Sequence, residues 1–223
     1  MLVDADEVTP SVAARLGLPI EPNLRSAIDA VEFGLGNLSR ALLPVPGAAF
    51  GVLGGLPNVA AWSQVRPSEV VTVTESLGQF VDELVVNLGH RLEDVGGGRG
   101  RYGTSRALLP ESDVIVAVCP ATPIGVARLL AWLATARALA ASPPVVVAVN
   151  RAPRDRYRRA EIANEVFRTF EPSTLVFVPD DRHVQAAAWA GTIVGRGTFT
   201  RALRDLTREL TVVARTTGAA LNS

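Results

Sequence analysis

The chain reads as a doubly wound α/β protein: a mostly parallel sheet with helices on both faces. Two observations predict this. The runs Val114-Ile115-Val116-Ala117-Val118 and Val145-Val146-Val147-Ala148-Val149 are apolar at every position and rich in β-branched residues. Strands of that kind are buried on both sides, as in a parallel sheet. Helical patterns separate such runs, and strand–helix alternation is the mark of this architecture. With 223 residues and 23.5 kDa, a single domain over 1–223 is expected.

The expected strands are Met1–Val3, Ala49–Leu53, Glu83–Leu88, Asp113–Cys119, Val145–Val149 and Leu175–Val178. Helical segments are expected at Ser11–Leu16, Leu24–Val31, Pro67–Phe80, Ile124–Ala141, Arg159–Phe170 and Thr198–Arg215. In the last, Phe199, Leu203, Leu206, Leu210 and Val213 fall on one face. The apolar stretch Pro123–Ala141 carries Arg128 and Arg137, so it reads as a core or amphipathic helix rather than a membrane span. Ser142-Pro143-Pro144 is a helix stop ahead of a strand. The segment Gly96–Gly103 is expected as a flexible glycine-arginine loop.

Composition excludes several chemistries. All 22 basic residues are arginine, and no lysine occurs anywhere. A Schiff base, a lysine general base and a lysine-bearing phosphate loop are therefore absent from this chain. One cysteine, Cys119, excludes a disulfide framework and a thiolate zinc site. His90 and His183 are the only histidines. Zero net charge argues against the whole surface acting as a nucleic-acid binder. The opening residues lack a basic n-region and an apolar stretch, so with the single cysteine a cytoplasmic location is expected.

Ligands in open α/β sheets bind outside the carboxyl ends of the strands. Those ends carry Asp4, Asp6, Asn87, Pro120, Asn150 and Pro179-Asp180-Asp181. Acidic and amide groups there fit a polar, nucleotide or metal-tolerant site. They equally fit caps of the helices that follow, a role Asp and Asn fill well.

Val3-Asp4-Ala5-Asp6 with Thr9–Leu18 resembles the segment after the second strand of ParA/MinD-type ATPases, which are P-loop proteins with a deviant Walker A motif. Asp82–Gly89 resembles their Walker B strand, and Pro120–Gly125 the turn after the next strand. Val149-Asn150-Arg151 and Val178-Pro179-Asp180-Asp181 resemble the two loops around adenine. The motifs keep the family's order over residues 1 to about 190, with the pilus-assembly and septum-site branch nearest in flavour. The resemblance implies a cytoplasmic, ATP- and Mg²⁺-binding homodimer, with a peripheral place at the membrane as a further option. Such a protein positions a pilus machine, a septum or a chromosome. It implies Asp4 and Asp6 near the magnesium water shell and the attacking water, with Asn87 at the Walker B position. It also implies Asn150, Arg151, Pro179 and Asp181 at the base.

Two departures bear on activity. The phosphate-loop strand, loop and helix would precede Val3, and the expectation is a coding sequence that continues upstream of Met1. The one P-loop-like string, Gly98–Ser105, has Thr104 where lysine belongs and is expected as a surface loop. Asn87 stands where the family has a metal-holding aspartate, so this chain is expected not to hydrolyse ATP. The alternative is a non-catalytic scaffold. A dehydrogenase reading of Gly34–Ser39 fails, because its last glycine and its preceding strand are lacking. Arg151, Arg154, Arg156, Arg158 and Arg159 form the one strong charge cluster, either a solvated helix start or a surface for nonspecific DNA.

Overall fold

A computed structural model describes residues 1–34, 36–96 and 100–221. Leu35, Gly97, Gly98 and Arg99, which belong to the two glycine-rich strings discussed above, lie outside the described residues. The described chain forms two compact units, Met1–Leu108 with Ala187–Ile193, and Leu109–Ala186 with the residues from Val194 onward.

The first unit is built on a four-stranded sheet. Its strands are β1 (Leu2–Ala5), β2 (Leu43–Pro44), β3 (Gly51–Leu53) and β4 (Val85–Leu88), in the order β2-β3-β1-β4. β3, β1 and β4 run parallel, and β2 is antiparallel to β3. Around the sheet lie α1 (Val12–Arg15), α2 (Leu24–Phe33), α3 (Pro67–Gly78), α4 (Gly103–Leu108) and two 3₁₀ turns. Asn23 starts α2 by accepting from the Arg25 N–H, and Gly34 ends it in the left-handed region at φ +64°. Pro67 opens α3, where a missing N–H costs nothing. Val3, Leu53, Ile28, Val70, Val73 and Leu77 fill the core.

The second unit holds a three-stranded parallel sheet, β5 (Ile115–Pro120), β6 (Val145–Ala152) and β7 (Thr174–Pro179), with β6 central. The helices here are α5 (Pro123–Leu139), α6 (Arg156–Thr169) and α8 (Thr198–Leu221), which packs along β7; α7 (Arg182–Ala190) divides between the units. In α5, Val126, Leu129, Leu133 and Ala136 recur at helical spacing and are buried. Gly125 lies against the Pro120 carbonyl, where an added Cβ would overlap it.

Parallel strands and flanking helices match the sequence expectation, but the hydrogen bonds divide them between two sheets rather than one. β1 runs on through Asp4, and β6 through Asn150 and Arg151, so these are strand residues rather than loop residues. β6 is buried from Val145 to Val149, as its composition predicts. β5 is not. Its residues alternate, with Ile115, Ala117 and Cys119 buried but Val116 and Val118 exposed, so one face of β5 is covered and the other is open. The two-residue β2 was not expected, since Leu43-Pro44 becomes a strand only by pairing with β3.

Leu133 is fully buried while Trp189 is 87% exposed. Leu133→Ala should cost about 2–5 kcal/mol in urea denaturation, and Trp189→Ala within about 0.5 kcal/mol.

Candidate functional site

The parallel register of β1 and β4 sets Asp4 opposite Asn87. Asp4 is 1% exposed, so its carboxylate needs partners for its lone pairs. Oδ1 accepts from Asn87 Nδ2 at 2.9 Å and from the Asp6 N–H at 3.4 Å. Oδ2 accepts from the N–H groups of Ser11 and Val12, both at 2.9 Å, at the start of α1. Asp6 turns the other way. Its Oδ1 accepts from the Val8 and Thr9 N–H groups at 2.7 and 3.0 Å, and Oδ2 accepts the Thr9 hydroxyl at 3.1 Å. Gly89 admits this loop: an added Cβ would lie 2.8 Å from Asp6 Oδ1 and 3.0 Å from Val8.

Glu7 was missed in the sequence. It is 6% exposed and accepts from the Thr104 N–H at 3.0 Å, capping α4. Burial holds its carboxyl above the usual value of 4.5, against hydrogen bonds from Thr104 and Ser105 that lower it. This corrects the surface-loop expectation for the end of Gly98–Ser105. Gly103, Thr104 and Ser105 are buried at the start of a helix, and the Ser105 hydroxyl reaches the Gly89 carbonyl at 3.4 Å. The available signal was a small residue and two hydroxyl residues ahead of Arg106-Ala107-Leu108, which is helix-start chemistry.

In the second unit, Asn150 Oδ1 accepts from the Arg151 N–H at 2.8 Å, and Arg151 has φ +52°. Pro179 closes β7, paired with Ala152. Asp181 is committed within the chain. Oδ1 takes the His183 N–H at 3.0 Å and faces His183 Nδ1 at 2.7 Å; Oδ2 takes the Thr198 hydroxyl at 3.0 Å and the Phe199 N–H at 3.1 Å. The backbone bonds from His183 and Phe199, with the His183 ring, hold this carboxyl well below the ordinary aspartate range. Asp181 thus caps α7 and α8 together. Of the arginines, Arg151, Arg154, Arg156 and Arg158 are exposed. Arg159 turns inward, donating from Nε to the Pro153 carbonyl at 2.6 Å and stacking over Phe177.

No protein-family model matches the sequence, and no curated protein does. Solved structures do match. MinD of Pyrococcus furiosus is 16% identical over 95% of this chain and 85% of its own, with a TM-score of 0.71. A ParA family ATPase from Chlorobium tepidum TLS is 14% identical over 92% and 83%, with a TM-score of 0.72. The septum site-determining protein MinD of Pyrococcus horikoshii OT3, complexed with Mg-ADP, is 16% identical over 97% and 84%, with a TM-score of 0.69. The fold is that of the MinD and ParA ATPases.

The donor set does not fit Mg²⁺. Magnesium takes free carboxylate oxygens and water, whereas the oxygens of Asp4 and Asp6 already accept from groups within the chain. Among the described residues, no group of three or more His, Cys, Asp or Glu side chains is placed to hold a metal ion.

Two outcomes follow. Asn87→Asp replaces the donor facing Asp4 with a second carboxylate, and should destabilise the chain by about 1.5–3 kcal/mol in urea titrations. Glu7 has a raised folded pKa, so its contribution is complete below pH 4.5 and is lost as pH rises through the folded value. Glu7→Gln should therefore lose less stability than the native chain between pH 4.5 and pH 8, in the same titrations.

Proposed function

We propose that this chain is a ParA/MinD-like protein of spatial positioning, serving pilus assembly, septum placement or chromosome partitioning, and that residues 1–223 do not hydrolyse ATP. The observation that carries the second half is the Asp4 carboxylate. A group that orients an attacking water or a magnesium shell needs a free lone pair, and both Asp4 oxygens accept from Asn87 and from α1. The absence of lysine supports the same reading, since no ammonium is present to meet a γ-phosphate. The fold supports the first half, because it is shared with proteins named for cell division and, in one case, plasmid partition.

In this reading nucleotide is held through the base. Asn150, Arg151 and Pro179 at the ends of β6 and β7 line its site, and Asp181 shapes it by capping α7 and α8. ATP and Mg²⁺ are thus family cofactors of which this chain retains at most the adenine side. The scaffold reading, in which partners alone are bound, is favoured by the same occupied carboxylates. The remaining proposals are a homodimer, a cytoplasmic location with a peripheral membrane position open, and nonspecific DNA contact through Arg151, Arg154, Arg156 and Arg158, with Arg159 bracing the cluster from within. No described helix is long and apolar enough to cross a membrane.

The test is phosphate release from Mg-ATP by the purified chain. The expected rate is background, and magnesium-dependent turnover near ~1 s⁻¹, at the low end for enzymes, overturns the proposal. Calorimetry with ATP separates the two readings. Asn150→Ala should weaken binding if the base is held, whereas no binding by the native chain selects the scaffold.

A further inference from the structure

We propose that this chain associates head to tail with a second copy of itself, Phe33 and Phe80 at one end of the first unit receiving the exposed arginines Arg154, Arg156 and Arg158 of the next copy. The inference rests on two surfaces of the chain and is independent of the nucleotide reading.

In the first unit α2 and α3 lie side by side and run the same way. Both start near the carboxyl end of β3, where the Leu24 N–H donates to the Gly54 carbonyl and Arg25 Nη1 donates to the Gln64 carbonyl at 2.8 Å, just ahead of α3. They share a core of Ile28, Val70, Val73 and Leu77. With 10 and 12 residues they rise about 15 and 18 Å, and they end together where β1 and β4 begin. Phe33 closes α2 and Phe80 follows α3, at 59% and 77% exposed. Packed helices stand about 8–10 Å apart, so one partner segment can touch both rings. Exposed Glu32, Asp82 and Glu83 adjoin them in sequence, and none of these side chains is in an ion pair among the described residues. Each helix end adds about half a negative charge. Arg40, exposed on the 3₁₀ turn packed on α2, offsets one of these charges, and the balance stays negative.

Exposed aromatic rings among carboxylates select a cation that can also lie flat on a ring, and arginine does both. The chain stacks arginine on aromatic rings within itself, as Arg137 on Phe170 and Arg156 on Tyr157, both at 4.9 Å to the ring centre. Its strongest cluster of exposed arginines is Arg154, Arg156 and Arg158, with Tyr157 beside them at 66% exposed. Asp155 offsets one of these charges while it caps α6. The two surfaces are thus complementary in charge and in kind, and every copy carries both. A two-fold contact would set each surface against itself, carboxylate on carboxylate or arginine on arginine. The contact is therefore heterologous.

Sedimentation equilibrium of the purified chain, without nucleotide, is the test. The mean mass should rise above 23.5 kDa between about 10 and 500 µM in low salt, and fall back at about 0.5 M salt, where screening is short-ranged. Two double variants, altered only at exposed positions, divide the contact. Arg154→Glu with Arg158→Glu keeps the aromatic end, and Phe33→Ser with Phe80→Ser keeps the arginines. Each alone should keep the native melting temperature and associate at least about tenfold more weakly. Mixed, they should form a one-to-one complex and stop there, because each supplies the half that the other lacks. Arg154→Gln with Arg158→Gln, and Phe33→Gln with Phe80→Gln, take their place if either melts early. A native chain that stays at monomer mass at about 500 µM overturns the proposal. Undiminished association in both variants, or a mixture no heavier than its parts, also overturns it.

Discussion

The first unit depends on one buried carboxylate. Asp4 lies on β1, takes a donor from β4 through Asn87, and takes two more from the first turn of α1. An ionised carboxylate is tolerated in such a place only when its lone pairs are filled. Here they are filled by groups that themselves need partners: an amide on a neighbouring strand and the orphan N–H groups of a helix start. Asn87 must be a donor for this to work. The amide at that position is thus part of the unit's construction as well as a departure from the ATPase pattern.

The same logic runs through the other acidic side chains at strand ends. Asp6 closes the Val8–Thr9 turn, Glu7 caps α4, and Asp181 joins α7 to α8. Carboxylates near helix starts serve both geometry and the helix dipole. Each lone pair spent in that way is withdrawn from water, metal or substrate. A fold shared with nucleotide-hydrolysing proteins therefore carries, at its acidic positions, a set of caps.

The two valine-rich strands show how position overrides composition. β5 and β6 are both apolar and β-branched, yet β6 is buried on both faces and β5 on one. The difference lies in what packs on each face, which the local composition does not encode. β6 also has a strand on each side, whereas β5 pairs only with β6.

The sequence by itself determined the α/β alternation, the parallel character of most strands, the helix stops, and Asp4, Asp6, Asn87, Asn150 and Asp181 as polar groups at or near strand ends. These are local properties: side-chain period, β-branching and turn chemistry act over a few residues. Tertiary structure alone decided what those groups bind. Asn87 meets Asp4 across 83 residues of chain, and Thr104 meets Glu7 across 97. No pattern in the neighbourhood of either residue encodes the other. The short strand β2, the helix α4 and the open face of β5 were hidden for the same reason. Each is defined by a partner, or the lack of one, supplied from elsewhere in the chain.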